Sequence, residues 1–250
     1  AVSAIIAAGM LPSALEMMDR NIIAAVEPVI RAGFPLDAEA VLLIEVDGLE
    51  ESTVEQADAI DRICRDNKAR EVRLAVAQSD RERLWAARKT SISALGRLYP
   101  NYYVLDGVVP RTKLVEVLRQ TYAIAERYGL AVANVFHAGD GNLHPNLLFD
   151  ERDPGATGRV LDAGTEIMRA CVDAGGSITG EHGVGLEKRD FIGWIFSAAD
   201  LAVMSHLKPA FKAGERYNPC KAFPTHKGCG EVSQARIQRM AAAIGADVYV

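Results

Sequence analysis

The chain is poor in cysteine: Cys64, Cys171, Cys220 and Cys229 are widely separated and form no C-x-x-C pair. That spacing excludes a secreted-type disulfide framework, and the four read as reduced thiols in a reducing compartment. No apolar run reaches transmembrane length, and no signal peptide with a basic head is present. Positive charge is not in surplus either. The formal net charge is −5, and Lys and Arg are scattered, which argues against nucleic acid or an anionic membrane as the main partner and for a small molecule. The G-x-G-x-x-G fingerprint and the Walker loop are both missing, as is any low-complexity stretch. The expectation from these absences is a cytoplasmic protein that is not transmembrane.

What is present suits an ordinary globular protein. With 250 residues, 49% hydrophobic and 24% charged, the chain can bury a proper core as one large domain or two small ones. The opening "AVSAIIAAGM" has no Met and already reads as the body of an apolar helix without a cap, so an N-terminally truncated domain is expected. After Pro224, "THKGCGE" and the helical pattern "SQARIQRMAAAIG" look like an appendage. The expected organisation is one domain over 1–223 and a tail over 224–250.

Strand and helix patterns alternate between these ends. Strands are expected over 13–19, 40–48, 71–77, 101–110, 130–137 and 143–149. Helices are expected over 20–33, 52–67 (capped by Ser52 or Thr53), 79–98 (opening at Ser79 or Asp80), 113–129 (capped by Thr112), 159–176 and 198–211, the last interrupted by Pro209. One adjacent strand pair is a tight hairpin and therefore antiparallel. The fold class is accordingly α+β, a largely antiparallel sheet flanked by helices, with ferredoxin-like repeats suggested by the strand–helix–strand spacing.

That hairpin, "VFHAGDGNLHPNLLF", carries the densest chemistry. Asp140-Gly141 is a two-residue type I′ turn signal, and with that turn His137 faces His144 directly across the ladder. Two imidazoles on one face can converge on one ion, and Asn146 falls on the same face by strand alternation. A second constellation follows in "GGSITGEHGVGLEKR", where Glu181 and His182 sit amid five glycines that let a ligand or another segment approach closely. His137, His144 and Glu181 make a two-histidine, one-carboxylate set. Such a set suits catalytic zinc with an open position, and equally a non-haem Fe(II) oxygenase. His182, next to the carboxylate, is placed to act as a base.

These two stretches resemble the paired signatures of the C-terminal domain of FAD-linked oxidases of the vanillyl-alcohol oxidase superfamily, and the resemblance runs from "AIIAAGMLPSALEMMD" to "NPCKAFPT". It implies oxidation of a small D-2-hydroxy acid, glycolate or D-lactate, by hydride transfer to FAD held mainly by a domain preceding Ala1. By the same resemblance His137, His144 and Glu181 match metal ligands of the 2-hydroxy-acid members, the ion being zinc. Asn146 matches a substrate contact, His182 the base, Arg88 the arginine that grips the substrate carboxylate, and Asn218 a residue near the flavin ring. Ile92 and Val104 stand where dicarboxylate-oxidising members carry a threonine and a lysine, which points away from a dicarboxylate. Cys220 stands for the glycine of the family's closing N-P-G-K. Partner electron-transfer subunits, peripheral attachment to a membrane through them, and self-association are compatible with the resemblance. A flavin-independent metal enzyme, either an Fe(II) oxygenase or a zinc hydrolase, and a non-catalytic subunit-binding domain are the alternatives.

Overall fold

The structure, a computed structural model, describes residues 1–211, Asn218 and residues 221–224. Cys220, Cys229 and the expected tail helix lie outside the described residues. Contacts divide the chain into two compact units, residues 1–180 and 181–250.

The first unit is one antiparallel sheet between two helical layers. In chain order it runs α1 (Val2–Ala7), β1 (Ala14–Asp19), α2 (Arg20–Ile30), β2 (Ala40–Glu45), α3 (Glu50–Asp66), α4 (Gln78–Leu95), β3 (Asn101–Val104), β4 (Gly107–Val108), α5 (Leu114–Arg127), β5 (Ala131–His137), β6 (Asn142–Leu143), β7 (Pro145–Phe149) and α6 (Ala156–Asp173). The sheet order is β2-β1-β5-β6-β4, with β7 between β5 and β3, and every pairing is antiparallel. The α+β class and the helix-flanked antiparallel sheet are as expected from the sequence.

The ferredoxin-like pattern is clearest from β3 to α6. There β3/β4 and β5 are joined through α5 and separated by the inserted β6/β7, and the fourth strand is reduced to a single bridge between Val108 and Ser177. The stretch β1–α2–β2 is arranged differently. Arg31 and Gly33 take left-handed backbone after α2 (φ 55° and 80°), and the chain returns over residues 31–39 so that β2 lies antiparallel beside β1.

Side-chain alternation sends the two sheet faces into different cores. Leu15, Met17, Phe136 and Leu143 pack with Ile5 of α1, Ile60 and Cys64 of α3, Leu114 and Val117 of α5, and Cys171 of α6. Met18, Ala133, Val135 and Leu148 pack with Ile22, Ile23 and Val26 of α2 and Ala87, Ala94 and Leu95 of α4. Asp19 ends β1 and caps α2 at once, accepting the Ile22 amide at 2.9 Å.

Several local expectations are corrected. Residues 71–77 form no strand: Val72 packs on the core, but Leu74 and Val76 are exposed, and β2, the sheet edge, pairs with β1 alone among the described residues. Alternating β-branched residues do not make a strand without a ladder partner. Helix α3 begins before Ser52 and Thr53, with Leu49 at its cap position, and α4 begins from Ala77 rather than Ser79 or Asp80. Thr112 lies inside a 3-10 turn, Arg111–Lys113, that leads into α5. The expected strand over 101–110 is broken at Leu105-Asp106 into β3 and β4.

The second unit holds a glycine-rich segment with left-handed Gly183 and Gly185, then a 3-10 turn, Arg189–Trp194, in which Phe191 and Trp194 stack with ring centroids 4.3 Å apart. Helices α7 (Ala198–Ser205) and α8 (Leu207–Ala210) follow, α7 opened by a Ser197/Asp200 capping box. The interruption falls at His206, ahead of Pro209, because proline is tolerated in a first helical turn. Among the described residues no helix is long and apolar enough to cross a membrane.

Candidate active site

The two histidines of the hairpin share a face, although not by the expected turn. His137 pairs with Asn142, and β5 meets β7 in the same register. The loop is therefore Ala138-Gly139-Asp140-Gly141, two residues longer than a type I′ turn. Its cause is non-local: the Gly139 amide donates to the Leu15 carbonyl at 3.1 Å, and the Val109 amide donates to the Gly141 carbonyl at 2.9 Å. Gly141 is in left-handed backbone (φ 74°), and a Cβ there would lie 2.1 Å from the Val109 carbonyl oxygen. His144 is therefore not directly opposite His137, but a two-residue slip keeps both on the same sheet face because strand side chains alternate with period two. His137 and His144 consequently lie edge to face, centroids 5.6 Å apart, with a ring nitrogen of each within 4.8 Å.

For neutral rings, their hydrogen bonds indicate which nitrogen carries the lone pair. His144, 5% exposed, has Nδ1 at 3.2 Å from the Leu105 carbonyl, which can only accept, so Nδ1 bears the proton and Nε2 the lone pair. His137 Nδ1 is 2.7 Å from Glu16 Oε1, and donating to that carboxylate leaves its lone pair on Nε2 as well.

Glu16 is the residue that the sequence reading missed. It sits on β1 directly opposite His137, is 6% exposed, and takes Arg88 on its other oxygen, with Nε and Nη2 both 2.8 Å from Oε2. A signal was present: "ALEMMD" is apolar on both sides of Glu16, so a carboxylate there had to be buried and paired. Arg88 likewise falls on the packed stripe of α4, beside Leu84, Ala87 and Ser91, and its side chain is only 15% exposed.

Asn146 lies on the same face, opposite Ala133 on β5 and Val104 on β3. Its Nδ2 donates to the Ala133 and His144 carbonyls at 3.0 and 2.8 Å, which fixes the amide orientation. Its buried Oδ1 has no hydrogen-bond partner among the described residues, and neither has the buried Oδ1 of Asn142. Buried acceptors of this kind call for a partner, which an ordered water or a ligand can supply. The flanks are apolar: Val104 faces Asn146, and Ile92, one turn along α4 from Arg88, packs in the core beneath.

The first unit ends against this site. Asp106 accepts from the Thr179 hydroxyl and the Gly180 amide, and a Cβ on Gly180 would lie 2.5 Å from the side chain of Asn142. In the second unit, Glu181 and His182 stand 3.6 Å apart (Oε1 to Nε2), each about half exposed. Asn218 takes left-handed backbone (φ 46°), and its Oδ1 accepts from Lys221 Nζ at 3.2 Å.

Residues 1–222 match the family described as FAD linked oxidases, C-terminal domain. The chain belongs to this family. It is 44% identical over 92% of its length to glycolate oxidase subunit GlcD of Escherichia coli, covering 46% of that protein, and 36% identical over 89% to the Bacillus subtilis subunit, covering 47%. D-lactate dehydrogenase of Archaeoglobus fulgidus is 30% identical over 86% of the chain, which covers 46% of that enzyme. The chain thus spans about half the length of the relatives it matches. In fold it resembles 4-ethylphenol oxidase of Gulosibacter chungangensis (TM-score 0.56, 17% identity, covering 84% of this chain and 47% of the oxidase).

Proposed function

We propose that the chain is the substrate-binding and catalytic part of a flavin-dependent dehydrogenase that oxidises a small D-2-hydroxy acid, glycolate or D-lactate. The observation that carries this reading is that His137, His144 and Asn146 share one sheet face, with Arg88 of α4 joined to His137 through Glu16, in a chain whose relatives are glycolate oxidase subunits and D-lactate dehydrogenases.

In this proposal His137, His144 and Glu181 hold one divalent ion, taken as zinc, which is one of the metals this donor set suits. Gly180, held against Asn142 opposite His137, is the residue from which the chain passes to Glu181. FAD, when bound, supplies the hydride acceptor, and the divalent ion, when bound, supplies Lewis-acid polarisation of the substrate hydroxyl. Arg88 fixes the substrate carboxylate through paired N–H donors. Asn146 Oδ1 offers the hydroxy acid an acceptor and so orients it. His182 takes the hydroxyl proton on a ring nitrogen as the substrate becomes a 2-oxo acid. Asn218 would lie on the flavin side. Ile92 and Val104 leave a second carboxylate without a polar partner, which disfavours dicarboxylates.

The test is anaerobic mixing of the flavin-loaded protein with single substrates. Glycolate or D-lactate is expected to bleach the flavin absorbance, with L-lactate and D-2-hydroxy dicarboxylates much slower. Flavin that stays oxidised with every small D-2-hydroxy acid overturns the proposal.

A further inference from the structure

We infer that Glu16 is a positioning residue that couples the metal end of the site to its carboxylate-binding end; the inference rests on the function proposed above. Its carboxylate is buried on a central strand, where a charge is costly unless both oxygens are used. Both are used, and on different groups. Oε1 faces His137 Nδ1 and Oε2 faces Arg88. A purely stabilising ion pair needs only Arg88. The division of the two oxygens is what orientation of a ligand histidine requires, since a carboxylate on Nδ1 fixes the ring and directs the Nε2 lone pair toward an ion.

The geometry of Arg88 completes the coupling. Its Nε donates to Glu16 Oε2 and its Nη2 lies at ion-pair distance from the same oxygen, so the Nη1/Nη2 edge of the guanidinium is the one a substrate carboxylate would use. One residue, set by the β1–β5 register that places Glu16 opposite His137, thereby holds two functional side chains that are 49 positions apart in sequence, from α4 and β5. Moving the Glu16 carboxylate disturbs both together.

Three measurements and one control on the full 250-residue chain test this. Zinc affinity by competition with a chromophoric chelator is expected to fall about ten- to a hundred-fold in Glu16→Gln, the range typical of lost outer-shell partners. Glu16→Gln leaves Arg88 without its counter-charge and can fail to fold, so the double variant Glu16→Gln with Arg88→Met removes both charges. It is expected to bind zinc as weakly as the single variant, because the loss runs through His137. Wild-type zinc affinity in either folded variant overturns the inference. The third measurement needs no substitution: long-range proton–nitrogen NMR of the zinc-free wild-type chain, at a pH where the imidazole is neutral, is expected to show the Nδ1–H tautomer at His137. The Nε2–H tautomer overturns the inference whatever the variants do. His137→Ala separates the two levels. If it binds zinc like wild type, the metal reading itself fails. If it loses zinc while Glu16→Gln keeps it, only the role of Glu16 fails.

Discussion

The Asp106 carboxylate accepts the Thr179 hydroxyl at 2.6 Å while wholly buried between β3 and β4. The Gly180 amide donates to its other oxygen at 3.0 Å, so this one side chain pins the last residues of the first unit to the sheet. Asp106→Asn keeps one acceptor and turns a donor toward a donor. A loss of about 1–3 kcal/mol is expected, the cost of a buried polar group left unsatisfied. Denaturant midpoints measure it, and an unchanged midpoint contradicts the pinning role.

Gly141→Ala carries two costs. Left-handed backbone disfavours a side chain by roughly 1–2 kcal/mol, and the new Cβ would overlap the Val109 carbonyl at 2.1 Å. A destabilisation of about 2–4 kcal/mol is expected. Hydrogen exchange should quicken at the amides of Gly139 and Val109, whose bonds hold the loop. An alanine variant as stable as wild type, with unaltered exchange, contradicts this description of the loop.

The same loop marks what the sequence could and could not reveal. Asp140-Gly141 signals a type I′ turn locally, but the carbonyl of Leu15 and the amide of Val109 recruit a longer loop, and neither is near in sequence. The shared face of His137 and His144 survived because the slip was even. Arg88 gives no local sign of its partner, since Glu16 is 72 residues away. Residues 71–77 failed for a related reason: their alternation is real, but a strand needs a partner that takes up its ladder hydrogen bonds, and this stretch pairs with none among the described residues. Helix positions were legible because their periodicity is local, whereas helix starts moved by a few residues wherever the cap was Leu49 or Ala77 rather than a hydroxyl or carboxylate side chain.

Asp19 offers a pH test. Burial is the largest influence and pushes its carboxyl above the usual 3.8, against the opposing donors Ile22, Tyr122 and Asn134. A group with a raised folded pKa contributes stability that is fully present below the unfolded value and is lost as pH rises through the folded value. The stability of wild type relative to Asp19→Asn is therefore expected to decline as pH rises above 3.8, the ordinary carboxyl value. A difference that grows with pH would mean that the donors outweigh burial.

The buried thiols should be inert. Desolvation pushes Cys171 up to about 12 and raises Cys64, so only about one Cys171 in ten thousand is thiolate near pH 8. Mass spectrometry after iodoacetamide treatment is expected to find Cys171 unmodified in native protein and modified in urea. Alkylation of native Cys171 contradicts its placement against Gly107 in the core.

Anomalous diffraction at the zinc edge, from crystals of the zinc-loaded chain, tests the proposed metal site most directly. A single peak roughly 2.0–2.1 Å from a ring nitrogen of each of His137 and His144 is expected. A peak elsewhere, or none at saturating zinc, contradicts it.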